Sequence, residues 1–186
     1  MPKNRKGYTT ILASLPRERI AIARGKDLPI KWKHAVNICD AITSKGMFID
    51  EAIEFLERVI DKEEFVPYFR HRRHYGHRKG SDKWKWPQGA FPEKASKYIL
   101  KILQSAKANA ENAGLDVSRC IILAMTAHKS RILKRRPDRI GPGLFRGWRI
   151  KRACNIEVVL YQLSEEEYEK IMERKGMEEE EAKPSQ

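Results

Sequence analysis

Residues 92–114, PEKASKYILKILQSAKANAENAG, decide how the rest of this chain is read. Pro92 presets φ at a point where the first N–H groups of a helix need no partner, and Gly114 leaves a helix readily. Between them Ala95, Ile99, Ile102, Leu103, Ala106 and Ala110 recur at helical spacing. The pattern predicts a long central helix with one apolar face. Downstream, the β-branched and apolar segment 120–126 reads as a strand, and 150–163 reads as another, with Val158, Leu160 and Gln162 on one side and Glu157, Val159 and Tyr161 on the other. Residues 134–149 lie between them and hold Pro137, Gly141, Pro142, Gly143 and Gly147 among six Lys/Arg. The two strands are therefore expected to form a hairpin with a long basic tip.

Upstream of the central helix, residues 20–30 suit a first strand. Trp32, Ala35, Val36, Cys39 and Ile42 then mark a helix up to Ser44, and Ile49, Ala52, Ile53, Leu56, Val59 and Ile60 mark a second over about 49–63. Lys31 and Lys33 stand at the start of the first of these, where the helix dipole disfavours cations, so an anion is expected to engage them. Residues 66–91 carry Pro67, Gly76, Gly80, Pro87 and Gly89 among seven Lys/Arg, which predicts a long basic loop. Ser164 with Glu167 is a capping-box pair and predicts a short helix over 164–175. Residues 1–18 read as a basic arm, 19–163 as one globular unit whose hairpin spans about 117–163, and 176–186 as an acidic, disordered tail.

The chain of 186 residues has a net charge of +13. From residue 164 onward there are nine acidic and four basic residues, a net of −5, so residues 1–163 carry +18. That excess points to a polyanionic partner. No run of about 18 apolar residues is present, which predicts a soluble, intracellular protein without membrane insertion. Cys39, Cys120 and Cys154 are widely spaced in apolar stretches and are expected to be buried rather than bridged.

Two clusters carry the candidate chemistry. The first comprises Arg70, His71, Arg72, Arg73, His74, Tyr75, His77, Arg78 and Lys79, followed by Lys83-Trp84-Lys85-Trp86. Cations neutralise phosphates, glycines admit close backbone approach and planar side chains stack on unpaired bases, which together suit RNA. The second comprises Lys134, Arg135, Arg136, Arg139, Arg146, Arg149, Lys151 and Arg152 on the hairpin. His71, His74 and His77 would face one metal only on a helix, which Gly76 and the arginines disfavour, and no cofactor is implied. The acidic groups Asp50/Glu51 and Asp61/Glu63/Glu64 sit at helix ends, so a metal-dependent nuclease is a weak rival. A free-standing RNA chaperone or regulator is the stronger one.

Taken in order, several strings in the chain resemble one family. They are Ala23-Arg24-Gly25-Lys26-Asp27-Leu28, Lys33-His34-Ala35, Glu51-Ala52 through Leu56-Glu57, Val66-Pro67 and Gly76-His77-Arg78-Lys79-Gly80. Lys94-Ala95-Ser96-Lys97-Tyr98, Ala108-Asn109-Ala110-Glu111, Gly114-Leu115-Asp116, Ala127-His128-Lys129 and Ile156-Glu157-Val158-Val159-Leu160 continue the series. Their order and spacing over residues 20–163 resemble universal large-subunit ribosomal protein twenty-two, in its archaeal and eukaryotic branch. The resemblance implies an α+β fold of three helices packed on a small antiparallel sheet, with a long basic β-hairpin extension. It also implies a non-enzymatic, cytoplasmic constituent of the large ribosomal subunit whose partners are large-subunit rRNA, neighbouring ribosomal proteins and the nascent polypeptide.

On this resemblance Lys31, Lys33 and His34 would touch RNA from the first helix, joined by the loop cations with Trp84 and Trp86. His128, Lys129 and Arg131 would do so at the hairpin root, and Lys134, Arg135, Arg136, Arg149 and Lys151 along its arms. Arg136, Arg139, Ile140, Gly141, Gly143 and Arg146 would form the tip that lines the exit tunnel. The sequence departs from the family pattern at Phe48, where a capping Ser or Thr is common, at Ala90-Phe91, where an arginine and a tyrosine are common, and at 137–143.

Overall fold

A computed structural model describes residues 15–181 of the chain. The expected helices are present: α1 Trp32–Lys45, α2 Ile49–Ile60 and α3 Glu93–Asn112, with a fourth, α4 Glu165–Glu181, after the hairpin. The strands are β1 Ile20–Leu28, β2 Val66–Pro67, β3 Gly89–Ala90, β4 Cys120–Gly141 and β5 Leu144–Gln162. The main sheet is antiparallel in the order β1-β5-β4, and β2 pairs with β3 in a second small ladder. The chain is thus α+β, as the sequence and its resemblance imply.

One face of the sheet packs on the three helices. Ile122, Met125, Ile156, Val158 and Leu160 meet Ile38, Ile42, Ile49, Phe55, Leu56, Ile99 and Leu103 in a single buried cluster. At the C-terminal end of β5 the other face is met by Tyr168 and Ile171 of α4, which pack with Phe48, Tyr161 and Leu163. Both registers of β5 are therefore buried at its C-terminal end, where Val159 and Tyr161 are as enclosed as Val158 and Leu160. Phe48, where a capping hydroxyl is common, serves packing instead: its ring meets Tyr168 edge-on at 5.6 Å. Glu51 still supplies half a capping box by accepting the Phe48 backbone N–H at 3.0 Å. At α4 both halves form, with Ser164 N–H donating to Glu167 at 3.0 Å and Glu167 N–H to the Ser164 hydroxyl at 3.3 Å.

Three sequence expectations are corrected. The segment 134–149 is not a loop: the β4–β5 ladder runs on to Gly141 and Leu144, and register shifts between Lys134 and Pro137 and at Asp138–Arg139 absorb the residues read as breakers. Pro142 and Gly143 alone make the turn, Gly143 at φ 82°, the residue pair and sign of a type II turn. The C-terminal helix continues to Glu181 rather than stopping at 175, into the stretch expected to be disordered. Residues 66–91 are tied down by β2, β3 and a 3-10 turn at Asp82–Trp84. Most of the arm expected at 1–18, and the end of the tail after 181, lie outside the described residues.

The three thiols are free and buried, and burial pushes Cys120 and Cys154 up to about 11, so they act as small apolar groups. Gly89 permits the closest approach in the small ladder. A Cβ there would stand 2.1 Å from the Phe65 ring and 2.5 Å from the Val66 carbonyl oxygen, and neither can give way without moving backbone. Gly89→Ala is expected to cost about 2 kcal/mol by overpacking, read as a lower midpoint in denaturant titration. An unchanged midpoint would show that the β2–β3 pair relaxes freely.

Candidate nucleic-acid interface

The basic loop 70–85 is anchored from below by uncharged groups. Asn37, fully buried on α1, donates from its amide to the carbonyls of Lys33, at 2.8 Å, and Arg70, at 3.0 Å, and accepts the Arg70 N–H at 3.0 Å. His34 Nδ1 is hydrogen-bonded to the Tyr68 hydroxyl. Burial, with the Lys31 ammonium nearby, lowers the His34 pKa below 6.5, and burial pushes the Tyr68 phenol far up. The pair is neutral at physiological pH. His34, expected to touch RNA, is thus half-buried and engaged within the protein.

The tryptophans also differ from expectation. Trp84 is 7% exposed and packs on Phe55 at 5.4 Å, with the Lys45 ammonium 4.7 Å from its ring centroid. Trp86 is half-buried, donates its indole N–H to the Tyr68 carbonyl at 3.1 Å, and lies beside Phe69 and under Arg72. Both rings fasten the loop to the core. The 3-10 turn at Asp82–Trp84 and the left-handed Lys85 (φ 48°) point Trp84 inward while leaving Lys83 and Lys85 outside.

Of the loop cations, Arg70 is paired with Asp40 at 3.0 Å and Lys83 with Glu64 at 2.7 Å. Arg78 donates to the Gly89 carbonyl at 3.3 Å and lies over Phe91. Arg73, Lys79 and Lys85 are exposed and have no ion pair among the described residues, and His77 is exposed beside its backbone bridge to Gln88. His71 and His74 adopt left-handed backbone (φ 56° and 66°), so the three-residue histidine spacing does not lie on one helix face.

Trp32 joins the clusters that the sequence keeps apart. Its indole N–H donates to the Ala127 carbonyl at 2.9 Å, the Lys129 ammonium sits 4.6 Å from its ring, and the His71 ring lies 5.0 Å away. The N-terminus of α1, the basic loop and the hairpin root thus meet at one side chain. Lys31 and Lys33, exposed at that helix start, have no acidic partner among the described residues. At the hairpin root Asp27 pairs with Arg131 at 3.2 Å, accepts from the Ser130 hydroxyl and donates its backbone N–H to Asn155 Oδ1 at 2.8 Å. His128 is exposed and bonded to Thr126.

Along the hairpin, Lys134, Arg136, Arg146 and Arg149 are exposed and Lys151 is half-buried. Gly141 and Gly143 lie at the turn, while the side chains of Arg135, Arg139 and Ile140 lie outside the described residues. The reading of the sequence missed Trp32, Asn37 and Asp27 as organisers. Asn37 alone left a signal, a single amide on an apolar helix face between Val36 and Ile38.

The chain matches the family described as ribosomal protein L22p/L17e over residues 23–161. It is similar to large ribosomal subunit protein uL22 of Archaeoglobus fulgidus, 43% identical over 117 residues, 63% of this chain and 73% of that protein. The uL22 of Methanocaldococcus jannaschii is 48% identical over 118 residues, 63% of this chain and 73% of its own length. That of Sulfolobus acidocaldarius is 37% identical over 150 residues, 80% and 94% respectively.

Two outcomes are expected from the anchor. Trp84→Ala should lower stability by roughly 3–5 kcal/mol and speed amide exchange across 70–89, because it empties the seat of the loop; a surface tryptophan would give neither. His34 holds its proton less readily folded than unfolded, so its contribution to stability is full above 6.5 and is lost as pH falls through that value. His34→Phe should therefore flatten the decline in melting temperature between about pH 7 and 5.5, whatever its absolute stability. An equally steep decline would assign the pH dependence to other groups.

Proposed function

The chain belongs to the ribosomal protein L22p/L17e family and sides with its archaeal members, and from that premise we propose that it is a structural constituent of the large ribosomal subunit that binds rRNA without catalysis. The observation that carries the reading is the convergence at Trp32 of the α1 start, the basic loop and the hairpin root. This arrangement offers RNA one continuous cationic surface in place of three scattered patches. Each phosphate it neutralises releases counterions, and that release drives association.

In this reading Lys31, Lys33, Arg73, Lys79 and Lys85 grip RNA at the body, while Lys129, Lys134, Arg136, Arg149 and Lys151 continue the grip along the hairpin. From Ser130 to Gly141 the ribbon can extend roughly 40 Å at about 3.3 Å per residue, which suits an element that reaches from the body to the wall of the nascent-chain tunnel. The turn at 141–144, with Arg146, would be the tunnel-facing tip and the nascent polypeptide its transient neighbour. Other large-subunit proteins would adjoin the body. The Trp84 and Trp86 rings take no part in RNA contact; they hold the loop in shape for it.

The test is co-sedimentation of the chain with ribosomal particles through a high-salt gradient. About one copy per large subunit, retained at salt that strips loosely held basic proteins, is the expected result. Release into the soluble fraction would favour a transient RNA chaperone instead. Binding of the free protein to rRNA fragments should fall with salt at a log-log slope of roughly −0.7 to −0.9 per phosphate neutralised, and a flat dependence would contradict phosphate contact.

A further inference from the structure

Among the described residues, five of the seven exposed large apolar side chains fall on the free part of the hairpin: Ile132, Leu144, Phe145, Trp148 and Ile150. Trp148 is 48% exposed and Phe145 57%, and their rings meet edge to face at 5.9 Å. In the ladder Ile150 stands opposite Lys134, Trp148 opposite Pro137 and Ile132 opposite Arg152. Directly opposed residues share a face, as do alternate residues along a strand. One face of the ribbon therefore carries Trp148, Ile150 and Ile132 with Lys134 and Arg152 set among them, and Phe145 against Trp148.

Beyond their mutual contact, this aromatic pair, held out in water on a thin ribbon, is covered by no other ring among the described residues, so it marks a surface made to be covered. The surroundings say by what. Residues 129–156 contain ten Lys/Arg and one acidic residue, Asp138, so the occupant must present planar apolar faces and negative charge in alternation. A strand of RNA does this at every nucleotide. Duplex RNA does not, because paired bases hide their faces in the stack and offer a protein only phosphates, 2′-hydroxyls and base edges. Same-face side chains on a strand stand about 6.8 Å apart, twice the roughly 3.4 Å step of a continuous stack, so these groups suit bases that have been splayed apart.

We infer that Phe145 and Trp148, extended by Ile132 and Ile150, form a stacking platform for unpaired nucleotides, with Lys134 and Arg152 on the same face taking the intervening phosphates. The inference rests on the RNA-binding reading above and adds the state of the RNA: the hairpin takes flipped-out or single-stranded bases along this face, where cations alone would accept any duplex. In the body, by contrast, Trp84 is buried and the Trp86 indole is tied to the Tyr68 carbonyl.

The test compares the full chain with its Trp148→Leu, Phe145→Leu and Trp148→Phe variants. Their probes are a short oligoadenylate and a blunt RNA duplex of the same length, with phosphatidylserine-containing vesicles as a third. Stacking predicts that Trp148→Leu and Phe145→Leu each weaken oligoadenylate binding about tenfold, that Trp148→Phe restores most of it, and that duplex affinity and salt slope stay unchanged. The half-exposed position of these rings means melting temperatures should match the wild type. Unchanged oligoadenylate binding in both leucine variants, or equal losses on single strand and duplex, would overturn the platform while leaving the RNA-binding reading intact. A loss confined to vesicles would overturn it in favour of a lipid surface. Failure of the wild type to bind either RNA would remove the RNA-binding reading and the platform together.

Discussion

The structure depends on a change of partner along β5. From Cys154 to Tyr161 this strand is hydrogen-bonded to both β1 and β4, with helices above; before Cys154 it has β4 alone. A strand in the first situation must be apolar on the helix face, and Ile156, Val158 and Leu160 are buried there, with Val159 and Tyr161 buried on the other face near α4. A strand in the second is half of a two-stranded ribbon, which is marginal in water without something to cover it. The break in β1 register between Gly25 and Leu28, where Asp27 donates its N–H to Asn155 and pairs with Arg131, marks where one regime gives way to the other. The placement of the body, the hairpin and Trp32 at their junction all follow from that switch.

Residues 1–163, carrying +18, must also fold against their own repulsion. They do so by keeping charge out of the core and by seating the loop on rings, through Trp84 on Phe55 and Trp86 beside Phe69. The ion pairs contribute less. In Arg70–Asp40, Arg131–Asp27 and Lys83–Glu64 the cation is exposed, while Asp40 and Glu64 are partly buried; the most exposed pair, Arg131–Asp27, contributes about 0–1 kcal/mol. Their effect is to fix where a cation points. The few acidic residues thus hold some arginines and lysines in place, while Lys31, Lys33, Arg73, Lys79 and Lys85 have no acidic partner among the described residues.

What was legible in the sequence follows the range of the interactions involved. Helical spacing, the Ser164–Glu167 box and the two-strand pattern are local signals, and the elements they predict are present. The seats of the tryptophans were not legible because Lys83-Trp84-Lys85-Trp86 has the same composition whether its rings face solvent or core; a left-handed residue at Lys85 and the Phe55 ring beside Trp84 decide it, and neither is written in that string. The hairpin tip was misread for a related reason. Pro137 and Gly147 break a regular strand, yet paired bulges place them opposite one another's neighbours, Trp148 and Asp138, and the ladder continues. Trp32 was legible as a helix residue but not as a junction, since its partners, His71, Ala127 and Lys129, lie far along the chain.

The interface therefore has two layers with different physics. Beneath lies a neutral lattice of Asn37, His34, Tyr68 and Trp86, whose bonds are short-range, directional and indifferent to salt. Above lies a set of exposed cations whose attraction to phosphate is long-range and weakly directional. Charge alone would gather RNA without orienting it, and hydrogen bonds alone would not gather it. A protonated His34 would breach this division by placing a cation beside Lys31 within the lattice itself, and burial is what keeps that imidazole neutral. Loop cations that have no acidic partner among the described residues can then vary in number without disturbing the fold, because the groups that seat the loop beneath them carry no charge.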